Sequence, residues 1–160
     1  MTSGGCSGIL RATDTVTKPL GAFASDANKK LPHDVRYVYE GGNLLASLNP
    51  ASSVRQAYLW GLDLSGTMQG AGGVGGLLAI TDASTGSHFC TFDGNGNVTA
   101  LVKADGAGLT AQYEYGPFGE LLRATGPMAR ANPFRFSTKY QDDETDLIYY
   151  GYRYYTISCL

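Results

Sequence analysis

Charge is scarce in this sequence. Charged residues make up 16% of its 160 positions, against about a quarter in an ordinary soluble domain. The formal net charge of −2 gives no electrostatic reason to expect nucleic acid, and there is no basic membrane-surface segment. Long apolar runs are missing too. The most apolar window, residues 72–80 (GGVGGLLAI), is far below the roughly 20 residues a membrane-spanning helix needs. The first residues, MTSGGCSGILRATDT, lack the basic start and apolar stretch of a secretory signal. Cysteine is limited to Cys6, Cys90 and Cys159. That number is odd and no two sit at metal-ligand spacing, so free thiols or small buried hydrophobes are expected. The two histidines, His33 and His88, stand alone. His88 and Cys90 share a strand face, but no third group orients the imidazole, and no Ser/His/Asp or Cys/His arrangement can be assigned. These absences argue against an enzyme and against a bound cofactor.

Glycine (22 residues) and tyrosine (11) are abundant, which favours turns and strands over helices. Residues 1–33 hold no period of 2 or 3.6 and read as an irregular, disorder-prone lead-in, with a short helix near residues 22–30. From residue 34 the pattern changes. Val35, Tyr37 and Tyr39 alternate with Arg36, Val38 and Glu40, Gly41, Gly42 and Asn43 turn, and residues 44–48 return. Residues 53–62 offer a strand with Tyr58 and Trp60 on one face, followed by a Gly-rich loop over 63–76. Further strands are expected at 77–81, 87–92 and 98–103. Between the last two, Asp93-Gly94-Asn95-Gly96-Asn97 is a strong hairpin signal, since Asn-Gly fits a type I′ turn. Ala111, Tyr113 and Tyr115 share the next strand face, and Gly116-Pro117-Phe118-Gly119 suits a type I turn leading to residues 120–124. Residues 128–133 read as a linker, 134–140 as a strand, 141–146 as an acidic turn and 147–155 as a tyrosine-dense strand. The expected class is all-β, built of repeated antiparallel hairpins that form a curved sheet.

A phrase recurs in this pattern: YVYEGGNLLASL from Tyr37, CTFDGNGNVTALV from Cys90 and YEYGPFGELLRA from Tyr113. Aligning Phe92 with Tyr115 gives a repeat of 23 residues in which Gly96 meets Gly119 and Val98 meets Leu121. Such repeats point to stacked units whose apolar faces need neighbours.

Candidate chemistry is thin. Residues 70–75 match GxGxxG, but a strand rather than a helix follows, which a dinucleotide site would not tolerate. Asp93, Asn95 and Asn97 have the spacing of the first calcium ligands of an EF-hand, yet Val98 stands where Gly is required and Ala104 where Glu is required. Asp142, Asp143, Glu144 and Asp146 read as a solvated acidic turn that guards neighbouring strands against edge pairing, with a weak cation site as the alternative. Tyr149, Tyr150, Tyr152, Tyr154 and Tyr155 read as a half-buried sheet, with sugar stacking as the alternative. Arg153 among them is placed for a cation–π contact.

At the repeated phrases the chain resembles the RHS/YD-repeat family, specifically its repeat-associated core region. The YD pair is matched imperfectly, by Tyr39-Glu40, Phe92-Asp93 and Tyr115-Gly116. Longer segments carry more weight: YEYGPFGELLRATGP, residues 58–80, and NPFRFSTKYQDDETDLIYYGYRYY over 132–155. The resemblance covers residues 34–155. It marks Tyr39, Phe92, Asp93, Gly96, Tyr115, Pro117, Phe118, Gly119, Phe134, Phe136, Tyr140, Tyr149, Tyr150, Gly151, Tyr152, Arg153, Tyr154 and Tyr155 as structural motif residues.

The resemblance implies β-sheets wound into a hollow shell. In bacterial members the shell encloses a variable toxin domain, and in animal relatives the repeat forms an extracellular adhesion barrel. It implies a secreted or cell-surface, non-catalytic wall linked to toxin packaging or delivery. Its partners would be other RHS/YD repeats, an enclosed toxin domain, or further copies paired through open sheet edges. Two other readings stand beside it. One is a module that recognises glycans or partner proteins through exposed tyrosines; the other is a truncated remnant without independent function. Departures from the family pattern are visible. Residues 156–160 (TISCL) stand where an Asp-Pro start and its autoproteolytic aspartates normally follow, so the core reads as C-terminally truncated. Asp146 stands where Gly is usual, and Gly42 where Trp is common.

Overall fold

A computed structural model describes residues 35–157 and the backbone of Thr15–Thr17. The helix expected near 22–30, Cys6, His33 and Cys159 lie outside the described residues.

Nine strands form one open antiparallel meander in which each strand pairs with its neighbour in sequence. They are β1 (Thr15–Thr17), β2 (Arg36–Glu40), β3 (Asn43–Leu48), β4 (Val54–Trp60), β5 (Leu77–Asp82), β6 (Gly86–Phe92), β7 (Val98–Lys103), β8 (Leu109–Tyr115) and β9 (Leu121–Thr125). The lead-in is therefore not wholly irregular, because β1 pairs with β2. A second sheet joins β10 (Tyr140–Gln141), β11 (Leu147–Tyr149) and β12 (Tyr154–Thr156).

The aromatic of each repeated phrase marks a fixed point in the pairing. The register shifts between Val38 and Tyr39, between Thr91 and Phe92, and between Glu114 and Tyr115. After each shift the aromatic faces an aliphatic or apolar partner: Tyr39 faces Leu44, Phe92 faces Val98, and Tyr115 faces Leu121. The same shift occurs between Leu59 and Trp60, where Trp60 faces Leu77. Trp60 thus belongs to a further copy of the motif. It escapes a spacing search because residues 61–76 are inserted in its turn. The insertion leaves the closing bond intact: Gly61 N–H donates to Gly76 O at 2.8 Å, as Asp93 N–H does to Asn97 O at 3.0 Å and Gly116 N–H to Glu120 O at 2.8 Å.

The turn at Asp93 differs from the expected type I′. Only Gly96 has positive φ there, and Gly96 N–H donates to Asp93 O at 3.1 Å. This is a type I turn followed by a glycine bulge. The Asp93 carboxylate selects it by accepting from Asn95 N, Asn97 N and Asn97 Nδ2 at 2.7–2.9 Å, an arrangement that a type I′ turn lacks. The turn at residues 116–119 closes the same way, with Gly119 N–H donating to Gly116 O at 3.1 Å.

Three other expectations are corrected beyond β9. Residues 128–133 are not an exposed linker, because Met128, Ala129 and Asn132 are buried. Residues 134–140 are not a continuous strand. A 3-10 turn at Phe136–Thr138, with Ser137 at φ 50° and Thr138 at φ 52°, leaves only an isolated bridge between Phe134 and Tyr140. Residues 147–155 form two strands rather than one, since the chain reverses at Gly151 and Tyr150 N–H donates to Arg153 O at 2.8 Å.

Residues 126–141 run across one face of the large sheet as a strap. The core lies between them. The sheet supplies Leu44, Tyr58, Leu77, Ile80, Val98, Leu101, Ala111 and Tyr113; the strap supplies Met128, Ala129 and Phe134. Tyr39, Trp60, Phe92 and Tyr115 pack around the edge of this cluster. Burial of a large apolar side chain contributes roughly 1.5–3 kcal/mol, so these residues dominate the attraction between strap and sheet.

Candidate functional site

The seam between strap and sheet is dense in side-chain hydrogen bonds. A run with no repeating backbone partner must find other hydrogen bonds when buried, and here buried side chains provide them. Asn132 folds the strap on itself: its Nδ2 donates to Phe134 O at 2.7 Å and its Oδ1 accepts from Phe134 N at 2.9 Å. Tyr113 OH donates to Ala129 O at 3.1 Å, and Gln56 Nε2 donates to Ala131 O at 2.9 Å. Thr138 links two hairpins at once, accepting from Gly75 N at 2.8 Å and donating to Gly96 O at 2.6 Å. Asn97 Oδ1 accepts from Ser137 N at 2.7 Å. Phe134 meets Tyr58, Trp60 and Tyr140 edge-on, at centroid distances of 5.0, 5.4 and 5.8 Å, a favoured arrangement for aromatic pairs.

Arg135 is buried in this seam. Its Nε donates to Asn132 O at 3.1 Å, and its Nη1 lies 2.9 Å from Asp143 Oδ1. A cleft of about 600 Å³ opens beside it, lined by Leu121, Ala124, Arg130, Arg135, Asp143 and Asp146 among others. Both charge signs line the cleft, and Arg135 is already paired with Asp143.

The Gly-rich insertion is ordered by a single carboxylate. Asp63 accepts from Ser65 N, Ser65 Oγ, Ala71 N and Gly73 N at 2.6–3.1 Å. Burial alone would raise its pKa, but these donors outweigh that effect and hold it at about 2. Within the GxGxxG segment the Ala71 and Gly73 amides are thereby turned inward to Asp63, Gly75 N goes to Thr138, and β5 follows the segment. Lys139 reaches from the strap to Gly72 O.

The acidic turn engages its own backbone and Arg135. Glu144 N donates to Asp142 Oδ1, and Asp143 forms the ion pair. Asp146 adopts φ 55°, the left-handed region in which its short side chain eases the strain. Among the described residues no group of three or more His, Cys, Asp or Glu side chains could hold a metal ion. No helix among them is long and apolar enough to cross a membrane. Burial pushes the Cys90 thiol up to about 12, which suppresses the nucleophilic thiolate.

No family model matches the chain, and no curated protein matches its sequence. Solved structures do. The crystal structure of TcdB2-TccC3 aligns at 18% identity with a TM-score of 0.55, covering 83% of this chain and 6% of that one. The structure of TcdB2-TccC3 without its hypervariable C-terminal region aligns at 18% identity with a TM-score of 0.53, covering 78% and 6%. These are RHS-repeat toxin-complex proteins. The chain has an RHS-type fold. It spans about 6% of the length of the solved chains it matches. The likeness persists without the hypervariable region, so it does not rest on that region.

Within the RHS-type fold the motif residues fall into three places. Tyr39, Phe92 and Tyr115 stand at the register shifts. Asp93, Gly96, Pro117, Phe118 and Gly119 form hairpin tips, while Phe134, Phe136 and Tyr140 lie on the strap. Tyr149, Tyr150, Gly151, Tyr152, Arg153, Tyr154 and Tyr155 occupy the small sheet and its reversal. That sheet joins the large one through Tyr155 OH, which donates to Phe118 O at 2.7 Å, and through the Tyr37 and Tyr140 hydroxyls, 2.9 Å apart. Tyr152 is fully exposed and Tyr154 is 63% exposed, whereas Tyr155 is half-buried. The cation–π partner of the tyrosines is Lys139, 5.6 Å from the Tyr150 centroid.

Sequence reasoning passed over Gln56, Asp63, Asn132 and Arg135, all buried polar residues, and treated His88 only as a possible catalytic partner. Trp60-Gly61 was the available clue for the missed repeat, because it parallels Tyr115-Gly116.

Proposed function

We propose that the chain is a non-catalytic wall segment of an RHS-type β-shell that serves toxin packaging or delivery. The strap carries this reading. Its polar groups are spent on joining the hairpins, through the Thr138 hydroxyl and through Ala131 O, which accepts from Gln56 of β4, rather than on a pocket with convergent reactive groups. The similarity to RHS-repeat toxin-complex structures supports it. Partners on this reading are neighbouring repeats that continue the sheet from its open edges, and a polypeptide cargo inside.

The test is imaging and protease protection of the full native polypeptide that carries these residues. A hollow particle and a segment cleaved only after denaturation are expected. A solid particle with every segment equally accessible to protease sinks the proposal.

The exposure of Tyr152 and Tyr154 favours a second reading, recognition of glycans by ring stacking. It requires glycan-array binding that Tyr152→Ala and Tyr154→Ala abolish while the thermal midpoint stays unchanged. No binding by the parent protein removes this reading.

A further inference from the structure

We propose that the strap is acid-releasable through His88: protonation of this ring loosens the Met128 end of the strap while the large sheet stays folded. The inference goes beyond the wall reading and does not depend on it.

His88 is 1% exposed on the strap side of β6. Its Nε2 lies 3.0 Å from Thr85 Oγ1 and its Nδ1 lies 2.8 Å from Thr110 Oγ1. The same two threonines hold the strap. Met128 N–H donates to Thr110 O at 2.9 Å, and Thr85 Oγ1 lies against Met128 Sδ at 3.1 Å. Ring and strap therefore share both anchors.

A neutral ring is satisfied here. One nitrogen donates to a threonine oxygen while the other accepts a threonine hydroxyl. A second proton makes both nitrogens donors. The threonine that had donated must then turn its hydroxyl away, Thr85 toward Asp82 Oδ1 at 3.3 Å or Thr110 toward Leu101 O at 3.3 Å. The added charge lies under buried Met128 and directly across from Lys103, its register partner on β7. Asp82 on β5 and Asp105 on the turn after β7 attract it, Thr110 on β8 is neutral, and Met128 of the strap brings no charge. Burial first, and Lys103 second, lower the pKa of the ring from its ordinary value.

Lifting Met128 admits water and relieves the charge, so the released state binds the proton more strongly than the docked state. The docked strap is then favoured above the ordinary histidine pKa of about 6.5 and lost progressively as pH falls below it. Asp63 and Asp82, held at about 2, titrate far below this window.

Trp60, the single tryptophan, packs 5.4 Å from the Phe134 ring of the strap and reports docking. The experiment follows Trp60 emission and amide protection factors of the full chain from pH 7.5 to 5.5, beside His88→Gln. Expected are a red shift and a loss of protection at Met128 and Asn132. That loss approaches about tenfold per pH unit once the released ring alone is protonated. The β7 amides should keep their protection, and His88→Gln should show no pH response. An unchanged strap, an equal response in His88→Gln, or loss of β7 protection together with the strap overturns the proposal. If His88→Gln fails to fold, the ring titration of the unmodified protein decides by nuclear magnetic resonance. A pKa at or above the ordinary value overturns the proposal, and a lower one that coincides with strap release supports it.

Discussion

Gly119 has φ +89°, and a Cβ there would meet the Phe136 ring at 2.7 Å. Gly96, its counterpart one repeat earlier, has φ +77° and would meet Val74 Cγ1 at 2.5 Å. Both glycines serve a bulge and a close approach at once. Gly119→Ala combines left-handed strain of about 1–2 kcal/mol with displacement of Phe136. A loss of about 2–3 kcal/mol is expected, read as a lower denaturation midpoint at constant m-value. Asp63 supplies a pH prediction. Its folded pKa of about 2 lies below the ordinary 3.8 of the side chain, so the stabilisation it gives is complete above pH 3.8 and lost as pH falls toward 2. Asp63→Asn should be less stable than the parent at neutral pH, and the gap should narrow across that acid range. Parallel stability curves for the two proteins would assign the acid sensitivity to other carboxylates.

The hairpins were legible because their signals are local. Alternating aromatics, a Gly-bearing turn and an aliphatic return fall within a dozen residues, as from Tyr113 to Ala124. The strap was not. Phe134 and Phe136 alternate with polar residues as a strand would, yet the partners that bend this segment lie far away in sequence: Ala131 meets Gln56, Ser137 meets Asn97, and Thr138 meets Gly75. No periodicity encodes such pairs. Trp60 shows the complementary failure, a local signal split by an insertion. These contacts make the strap a cooperative element whose centre is Phe134. Phe134→Ala removes three ring contacts from a buried site and should cost about 3–5 kcal/mol. Trp60 emission should shift red while far-ultraviolet dichroism keeps its β signal. Loss of that signal would show instead that the sheet cannot form without the strap.

At the scale of the molecule, the meander ends at β9, whose residues are exposed along most of its length. Leu122 is 67% exposed, and the only charge on the strand, Arg123, is engaged with Glu114 of β8. Edge strands that must stay unpaired usually carry free lysines, a proline or a bulge; β9 has a register shift at Leu122 near its start, but it carries no lysine, and Pro127 comes only after the strand has ended. The opposite face adds to this tendency. Leu59, Ala79, Phe89, Val102 and Leu109 follow one another across β4 to β8 in register, and Leu59, Phe89 and Leu109 are all more than half exposed. An apolar row that continuous favours lateral growth of the sheet, because an added strand at β9 extends backbone pairing and apolar cover together. The chain should therefore associate with rising concentration, seen as an increasing sedimentation coefficient. Leu122→Lys places a charge on the exposed edge and should hold the protein monomeric, with folding stability within about 0.5 kcal/mol of the parent. If that variant associates as the parent does while Phe89→Lys does not, the contact lies on the apolar face instead. A sedimentation coefficient independent of concentration in the parent would show that neither surface drives assembly in isolation.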